Sequence, residues 1–174
     1  FVPAAERFNL GPRLDRHVLD KTLRWFEASP GVLGQVQHVS VNLSAATLTD
    51  AGFPEFVRRR LADSVLPPEC LCFEITETTA VRDLAKAARM IDLVRELGAH
   101  FALDDFGTGF CSFAYLAQLR VDYFKIDGSF VRDLGHSPLA LSIVRSIVDI
   151  GKVTNTQTVA ECVETTALRA KLGV

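Results

Sequence analysis

Short apolar runs alternate with longer amphipathic stretches along the whole chain. Five runs rich in β-branched, aromatic and aliphatic residues predict strands, namely Val39–Ser44, Leu71–Thr76, His100–Asp105, Tyr123–Asp127 and Thr158–Glu161. The other stretches repeat apolar residues at helical spacing and predict helices over Leu14–Phe26, Ala51–Ser64, Val81–Leu97 and Pro138 to about Ile150. This repetition predicts parallel strands joined by right-handed crossovers.

Two fold classes accept such a repetition, the open doubly wound sheet and the closed (β/α)8 barrel. A dinucleotide-binding sheet would carry a glycine-rich fingerprint after its first strand. The chain has no such fingerprint, and Gly107-Thr108-Gly109 lacks a third glycine at the required offset. The pattern therefore predicts an α/β fold and leaves the choice between sheet and barrel to the polar residues.

Composition and charge exclude several classes of protein. The 174 residues are 48% hydrophobic and 23% charged, which is typical of one globular domain and not of a disordered or fibrous chain. The net charge of −2 offers no basic surface for a nucleic-acid polymer. No apolar run is long enough to span a membrane. Cys70 and Cys72 lack metal-site spacing and fit buried free thiols, so we expect a cytoplasmic setting, or the cytoplasmic part of a membrane-anchored protein.

A charged or amide side chain stands near the C-terminal end of every predicted strand. These residues are Asn42, Glu74 with Glu77, Asp104 with Asp105, Lys125 with Asp127, and Glu161 with Glu164. Counted from the first of each group, the steps are 32, 30, 21 and 36 residues, the lengths of single strand–helix units. In a barrel these strand ends share one mouth, where active sites are built. The spacing thus predicts one polar site.

The chemistry of that site points to a hard cation. Carboxylates placed close together repel one another unless a cation neutralises them, and oxygen ligands suit Mg²⁺, Mn²⁺ or Ca²⁺ better than zinc. Asp104 and Asp105 are adjacent and could serve two ions, the usual arrangement for displacement at phosphorus. Taken singly, Asp127 also fits a turn, Glu164 a helix start and Asn42 a cap.

Five motifs occur in an order that resembles the EAL-domain family of bacterial cyclic-di-GMP phosphodiesterases. They are Asn42–Ser44, Glu74–Thr78, Asp104–Gly109, Lys125–Asp127 and Ala160–Thr165. The resemblance runs over essentially the whole chain, and Asp-Asp-Phe-Gly-Thr-Gly is its most specific part. It implies a modified TIM (β/α)8 barrel that hydrolyses cyclic-di-GMP to linear pGpG with two Mg²⁺ or Mn²⁺ ions.

The resemblance also implies roles for single residues. The implied metal ligands are Asn42, Glu74, Asp104, Asp105 and Glu161, with Asp104 bridging the two ions. The implied catalytic residues are Lys125, which contacts the attacking water, Glu161, Asp127 and Glu164. Glu77 would hold a loop that runs to Ser112 and couples metal binding to dimerisation in the family, and that loop begins with Phe106, Gly107, Thr108 and Gly109.

The chain departs from the family pattern in three ways. The Glu-Ala-Leu motif, whose glutamate is a metal ligand, is expected before Phe1, and a Gln-Gly segment is expected beyond Val174. Cys162 stands where glycine is usual. We therefore expect residues 1–174 to form a partial EAL phosphodiesterase domain, an incomplete barrel that lacks its first and last strands.

Two other functions remain open on sequence grounds. A catalytically inactive EAL domain would act as a cyclic-di-GMP receptor, and the missing glutamate would decide between receptor and enzyme. Carboxylate-held Mg²⁺ with a lysine base also fits an enolisation enzyme. The expected partners are cyclic-di-GMP and a second copy in a homodimer, with no nucleic-acid polymer. A fused sensor or diguanylate cyclase (GGDEF) domain outside these residues is a further expectation.

Overall fold

Five strands pair in the order in which they occur along the chain, and every pairing is parallel. The computed structural model describes residues 2–109 and 113–173. Its strands are Val39–Asn42 (β1), Leu71–Thr76 (β2), His100–Phe106 (β3), Tyr123–Ile126 (β4) and Gln157–Ala160 (β5). A doubly wound sheet reverses its strand order at a switch point, and this order has no reversal. The predicted α/β class is confirmed, and the sheet is an incomplete barrel.

Eight α-helices accompany the strands within the described residues. They are Val2–Arg7 (α1), Gly11–Ala28 (α2), Phe53–Ala62 (α3), Glu77–Arg82 (α4), Leu84–Arg95 (α5), Gly128–Asp133 (α6), Pro138–Thr154 (α7) and Thr166–Leu172 (α8). The single helix predicted over Val81–Leu97 was wrong, because the chain breaks at Asp83. The Asp83 carboxylate accepts a hydrogen bond from Lys86 N and starts α5 as its N-cap.

The two faces of the sheet differ in chemistry because side chains alternate along each strand. On one face the register aligns Val41, Phe73 and Phe101, which are almost fully buried. The ring of Phe53 in α3 packs edge-on against Phe73 at 5.7 Å between centroids. Each buried phenylalanine stabilises the fold by about 2–3 kcal/mol. This apolar face joins the sheet to its helices.

The opposite face, called the polar face below, carries the residues that alternate with the core. It comprises Ser40, Asn42, Cys72, Glu74, Ala102, Asp104, Tyr123, Lys125 and Val159. Burial raises the pKa of the Cys72 thiol to about 12, so this thiol stays protonated.

None of the helices in residues 2–109 and 113–173 has both the length and the apolar composition that a membrane crossing needs.

Candidate active site

The ammonium group of Lys125 lies at the centre of a cluster of carboxylates. Lys125 Nζ is 2.7 Å from Glu74 Oε2, 2.9 Å from Asp104 Oδ1 and 2.9 Å from Glu161 Oε1. These side chains come from β2, β3, β4 and the residue after β5, and all lie at the C-terminal ends of their strands. The structure thus brings together four of the predicted site residues.

A β-bulge places Asp104 and Asp105 together. Leu103 pairs with Phe124 and Phe106 with Ile126, so β3 has one residue more than β4 over the same span. Asp105 takes the left-handed conformation, with φ of 52°, which aspartate tolerates better than most residues. Consecutive side chains of a regular strand would point to opposite faces. Here carboxylate oxygens of Asp104, Asp105 and Glu161 lie within 4.8 Å of one another.

The pKa values of this cluster reflect its charge balance. Burial alone would lower the pKa of Lys125, but its hydrogen bonds with Glu74, Asp104 and Glu161 outweigh burial and raise it. Lys125 is therefore held as a cation. Burial raises the pKa of Asp105, and the neighbouring charges of Asp104 and other acids add to that shift. Glu74, Asp104 and Glu161 each contact the Lys125 ammonium, whereas Asp105 forms no such ion pair with it.

Asn42 ends β1 beside Glu74. The register pairs these two residues, and the backbone N–H of Leu43 continues the ladder by donating to Glu74 O at 2.8 Å. Because paired residues of parallel strands share a face, the exposed amide of Asn42 lies on the polar face next to the carboxylate cluster. A cavity of about 270 Å³ on the same face lies beside Glu74 and Lys125.

The donor set fits a hard divalent cation. Carboxylate oxygens from Asp104, Asp105 and Glu161 converge, and Glu74 and Asn42 lie on the same face. All five donors are oxygens, which Mg²⁺ and Mn²⁺ prefer. The contacts of Lys125 with three carboxylates show that this cluster already attracts positive charge.

Glu77 holds the segment that follows the bulge. This buried carboxylate accepts hydrogen bonds from Gly107 N at 2.9 Å and from Tyr115 Oη at 2.7 Å. A Cβ at Gly109 would lie 3.1 Å from the Glu77 carboxylate, so the close approach favours glycine there. Thr108 Oγ1 donates to Asp105 O at 2.8 Å. The remaining loop residues, 110–112, lie outside the described part of the chain.

The other predicted site residues occupy different environments. Asp127 caps α6 by accepting a 2.8 Å bond from Ser129 N and a short bond from Ser129 Oγ. These bonds lower the pKa of Asp127, and the positive charge of Arg132 adds to that shift. Glu164 is exposed before α8 and makes no hydrogen bond or ion pair with the described residues. Asp127 lies close enough to Asp105 for its charge to raise the pKa of that acid, whereas Glu164 has no contact with the cluster among the described residues.

Two buried polar residues near the site were missed by sequence reasoning. Tyr115 lies in the 3-10 turn Phe113–Ala117 and contacts Glu77, and no local pattern marks it. Asp15 lies in α2 and binds the loop after β1. Its signal was available, because Asp15 interrupts the apolar stripe that continues through Leu19 and Leu23.

Comparison with known proteins identifies the family. The family model described as EAL domain matches residues 1–172. The chain therefore belongs to the EAL-domain family, in agreement with the five motifs and the barrel-like sheet.

Several relatives define what the chain resembles. It is 43% identical over 164 residues to the cyclic di-GMP phosphodiesterase PdeB of Shewanella oneidensis. The matched segment covers 94% of this chain and 19% of PdeB. A solved structure of the PaMucR phosphodiesterase in complex with c-di-GMP superposes with a TM-score of 0.86 and 34% identity, covering 99% of this chain and 70% of that one. The chain thus spans about a fifth of the length of PdeB.

A third relative was solved with a metal. The structure of BlrP1 from Klebsiella pneumoniae, a complex with manganese and cyclic di-GMP, superposes with a TM-score of 0.81 and 25% identity. The superposition covers 93% of this chain and 41% of the BlrP1 chain. The manganese in this similar structure is consistent with the oxygen-rich cluster of this chain.

Proposed function

We propose that this chain is part of a metal-dependent phosphodiesterase that hydrolyses cyclic-di-GMP to linear pGpG in bacterial second-messenger signalling. The observation that carries the proposal is the convergence of Lys125 with Glu74, Asp104 and Glu161 at the strand ends. The names of PdeB and PaMucR, both phosphodiesterases, support the same activity.

The proposed cofactors are two Mg²⁺ or Mn²⁺ ions. Asn42, Glu74 and Asp104 would hold the first ion, and Asp104, Asp105 and Glu161 the second, an assignment supported by the proximity of the last three carboxylates. Bound ions of this kind supply positive charge to the phosphate oxygens and lower the pKa of water. The raised pKa of Asp105 supports a cation beside it, since a cation would offset the repulsion from the neighbouring acids.

Lys125 is proposed to orient the attacking water by donating to its oxygen one of the N–H groups that here face Glu74, Asp104 and Glu161, once a bound cation takes over the carboxylate that this N–H faces. Its contacts keep it charged, so it suits the stabilisation of negative charge at phosphorus. The same raised pKa disfavours the enolisation alternative, since a lysine base must lose its proton near the working pH. In the reaction the water oxygen bonds to phosphorus, one phosphorus–oxygen ester bond breaks, and the 3′ oxygen that leaves takes up a proton.

Asp127 and Glu164 complete the proposed site as supporting residues. The proximity of Asp127 to Asp105, whose pKa the charge of Asp127 raises, supports the role of Asp127. Glu164 is proposed from the family motif alone. Glu77 is proposed to hold the loop that begins at Phe106, supported by its contact with Gly107 N.

The experiment is the conversion of cyclic-di-GMP to pGpG by the full-length protein with Mg²⁺ or Mn²⁺, followed by chromatography. Asp104→Asn should lower turnover by at least about 100-fold, because it removes a charge from the centre of the cluster. Asp149→Asn is the control, since this acid is exposed on α7 and pairs only with Lys152 among the described residues. Wild-type protein that binds cyclic-di-GMP tightly without any turnover would favour the receptor function instead.

The proposal extends to the surroundings of this segment. Residues 1–174 would form part of an EAL phosphodiesterase domain, supported by the 70% of the PaMucR chain that they cover. A homodimer, a fused sensor or GGDEF domain and a cytoplasmic location belong to the proposal as well. The free thiols of Cys70 and Cys72 support the cytoplasmic location.

A further inference from the structure

A buried acid interrupts the apolar side of α2. The buried residues of this helix are Gly11, Asp15, Leu19, Leu23 and Phe26. Leu19 and Leu23 are fully buried, and Asp15 is only 5% exposed. A buried carboxylate is unfavourable unless hydrogen bonds or a charge compensate it, so Asp15 needs a specific set of partners.

Those partners all belong to the loop that leaves β1. Asp15 Oδ2 accepts hydrogen bonds from Ser44 N at 2.8 Å, from Ser44 Oγ at 2.8 Å and from Thr47 Oγ1 at 2.5 Å. Gly11 allows this approach, since a Cβ there would lie 2.4 Å from Ser44 Oγ. One carboxylate oxygen therefore fixes both ends of the turn from residue 44 to residue 47.

The anchored turn begins two residues after Asn42. Between them, Leu43 is buried and its N–H donates to Glu74 O at 2.8 Å. The chain that leaves Asn42 is thus held first by β2 and then by Asp15. The side chain of Asn42 is exposed at the strand end and is not fixed by packing. The conformation of the Asn42 backbone therefore depends on the contacts that β2 makes with Leu43 and that Asp15 makes with Ser44.

We propose that Asp15 is a positioning residue for Asn42 in the cation site, an inference that rests on the proposed function for the role of Asn42 alone. Some residues orient a metal ligand without contacting the metal themselves. Substitution of such a residue typically weakens metal affinity by about 10-fold or more. Asp15 acts through the backbone of Ser44, and it keeps the Asn42 amide directed at the site beside Glu74.

The test is the affinity of the full-length protein for Mn²⁺, measured from the paramagnetic resonance signal of free Mn²⁺ without any nucleotide. Asp15→Asn keeps the volume of the side chain and removes its charge, and it should weaken Mn²⁺ binding by about 10-fold. Asn42→Ala should weaken binding at least as much. In the double variant the loss should equal that of Asn42→Ala alone, because the two residues act on one ligand.

Asp122→Asn is the matched control. Asp122 is also mostly buried and accepts bonds from Phe101 N at 2.8 Å and Arg95 Nη2 at 2.9 Å, but it lies at the N-terminal ends of the strands. It should lower the melting temperature and leave the Mn²⁺ affinity unchanged. If Asp15→Asn also lowers only the melting temperature, or if its loss of affinity adds fully to that of Asn42→Ala, the positioning role is refuted.

A second variant covers the case in which Asp15→Asn does not fold. Thr47→Val removes one donor to Asp15 at constant shape and should weaken Mn²⁺ binding in the same direction by a smaller factor. Unchanged affinity in Thr47→Val would then count against the proposal. A wild-type protein that binds Mn²⁺ but never hydrolyses cyclic-di-GMP would overturn the proposed function and leave the positioning role standing. Wild type without Mn²⁺ binding would overturn the positioning role.

Discussion

Lys125 Nζ lies 2.7 Å from Glu74 Oε2, although 51 positions separate the two residues and β3 lies between their strands. The contact is possible because the β3 residue paired with Glu74 is Ala102, whose methyl group leaves room on the polar face. The ammonium thereby links β2, β3 and the end of β5 through its three carboxylates. The same group that serves the proposed chemistry also offsets part of the negative charge of the cluster.

Removal of that charge should destabilise the metal-free protein. Lys125→Met leaves three poorly exposed carboxylates without their common cation and should lower the free energy of unfolding by about 3 kcal/mol. Mn²⁺ should then raise the melting temperature of the variant more than that of wild type, since the ion replaces the lost charge. Lys152→Met is the control, because Lys152 and its partner Asp149 are about 70% exposed and such pairs contribute under about 1 kcal/mol. Equal losses in both variants would contradict the prediction.

The stability of the site should depend on the ionisation of Asp105. The folded state raises the pKa of this acid, so its contribution to stability is fully present below the ordinary value of 3.8 and is lost as the pH rises through the raised value. In EDTA, Asp105→Asn should therefore stabilise the protein at neutral pH more than in acid. Asparagine also tolerates the left-handed backbone at this position. Urea unfolding at the two pH values measures the difference, and a gain independent of pH would be evidence against it.

The bonds of Glu77 should protect the loop after the bulge. Glu77→Gln places an amide N–H₂ against Gly107 N or Tyr115 Oη, the donors to Glu77 in the described part of the chain, and should cost about 1–3 kcal/mol. Tyr115→Phe removes only the hydroxyl and should cost about 1 kcal/mol. Hydrogen exchange at the Gly107 amide should accelerate in Glu77→Gln more than in Tyr115→Phe. Unchanged exchange in both variants would mean that other contacts hold this segment.

Gly107 should tolerate no side chain. Its φ is 98°, and a Cβ would lie 3.1 Å from both Ile147 Cδ1 and Phe130 Cε2. Gly107→Ala should therefore destabilise the protein by about 1–3 kcal/mol. Gly31→Ala is the control because that position opens to free space, and its effect should be neutral or slightly stabilising. Thermal unfolding of the two variants in parallel distinguishes backbone strain from a general effect of replacing glycine.

Cys162 and Gly128 should be coupled. Cys162 has φ of 53°, and a Cβ at Gly128 would lie 2.4 Å from its Sγ. Gly128→Ala should destabilise wild type by about 1–3 kcal/mol through overpacking. The same substitution should be much less damaging beside Cys162→Gly, which removes the sulfur. A double-mutant cycle by urea unfolding measures this coupling, and additive losses would mean that the chain yields elsewhere.

Local sequence patterns were sufficient for the strands, for the helices α2, α3 and α7, and for the polar residues at the strand ends. These predictions depend on periods of two and 3.6 residues, which the chain carries independently of its fold. The break at Asp83 was missed because an aspartate in an amphipathic stretch can be either a surface residue or an N-cap, and the pattern does not distinguish them.

Cys162 has a left-handed backbone, a conformation that favours glycine, which is the residue that the family resemblance leads us to expect at this position. A side chain is strained at φ of 53°, and the sulfur then occupies the space that Gly128 leaves open. The sequence alone marked the residue as a departure without its physical reason. The left-handed conformation of Cys162 depends on the residues before and after it and on its contact with Gly128 at the start of α6.

The sequence by itself determined the class of fold, the family and the types of residue that meet at one end of the sheet. Only the tertiary structure decided that Asp104 and Asp105 share a side, that Lys125 joins three strands and that Asp15 anchors the loop after Asn42. The physical reason is that a bulge arises from pairing with a neighbouring strand and a buried ion pair from residues far apart in sequence. Both are products of packing, which no local period encodes.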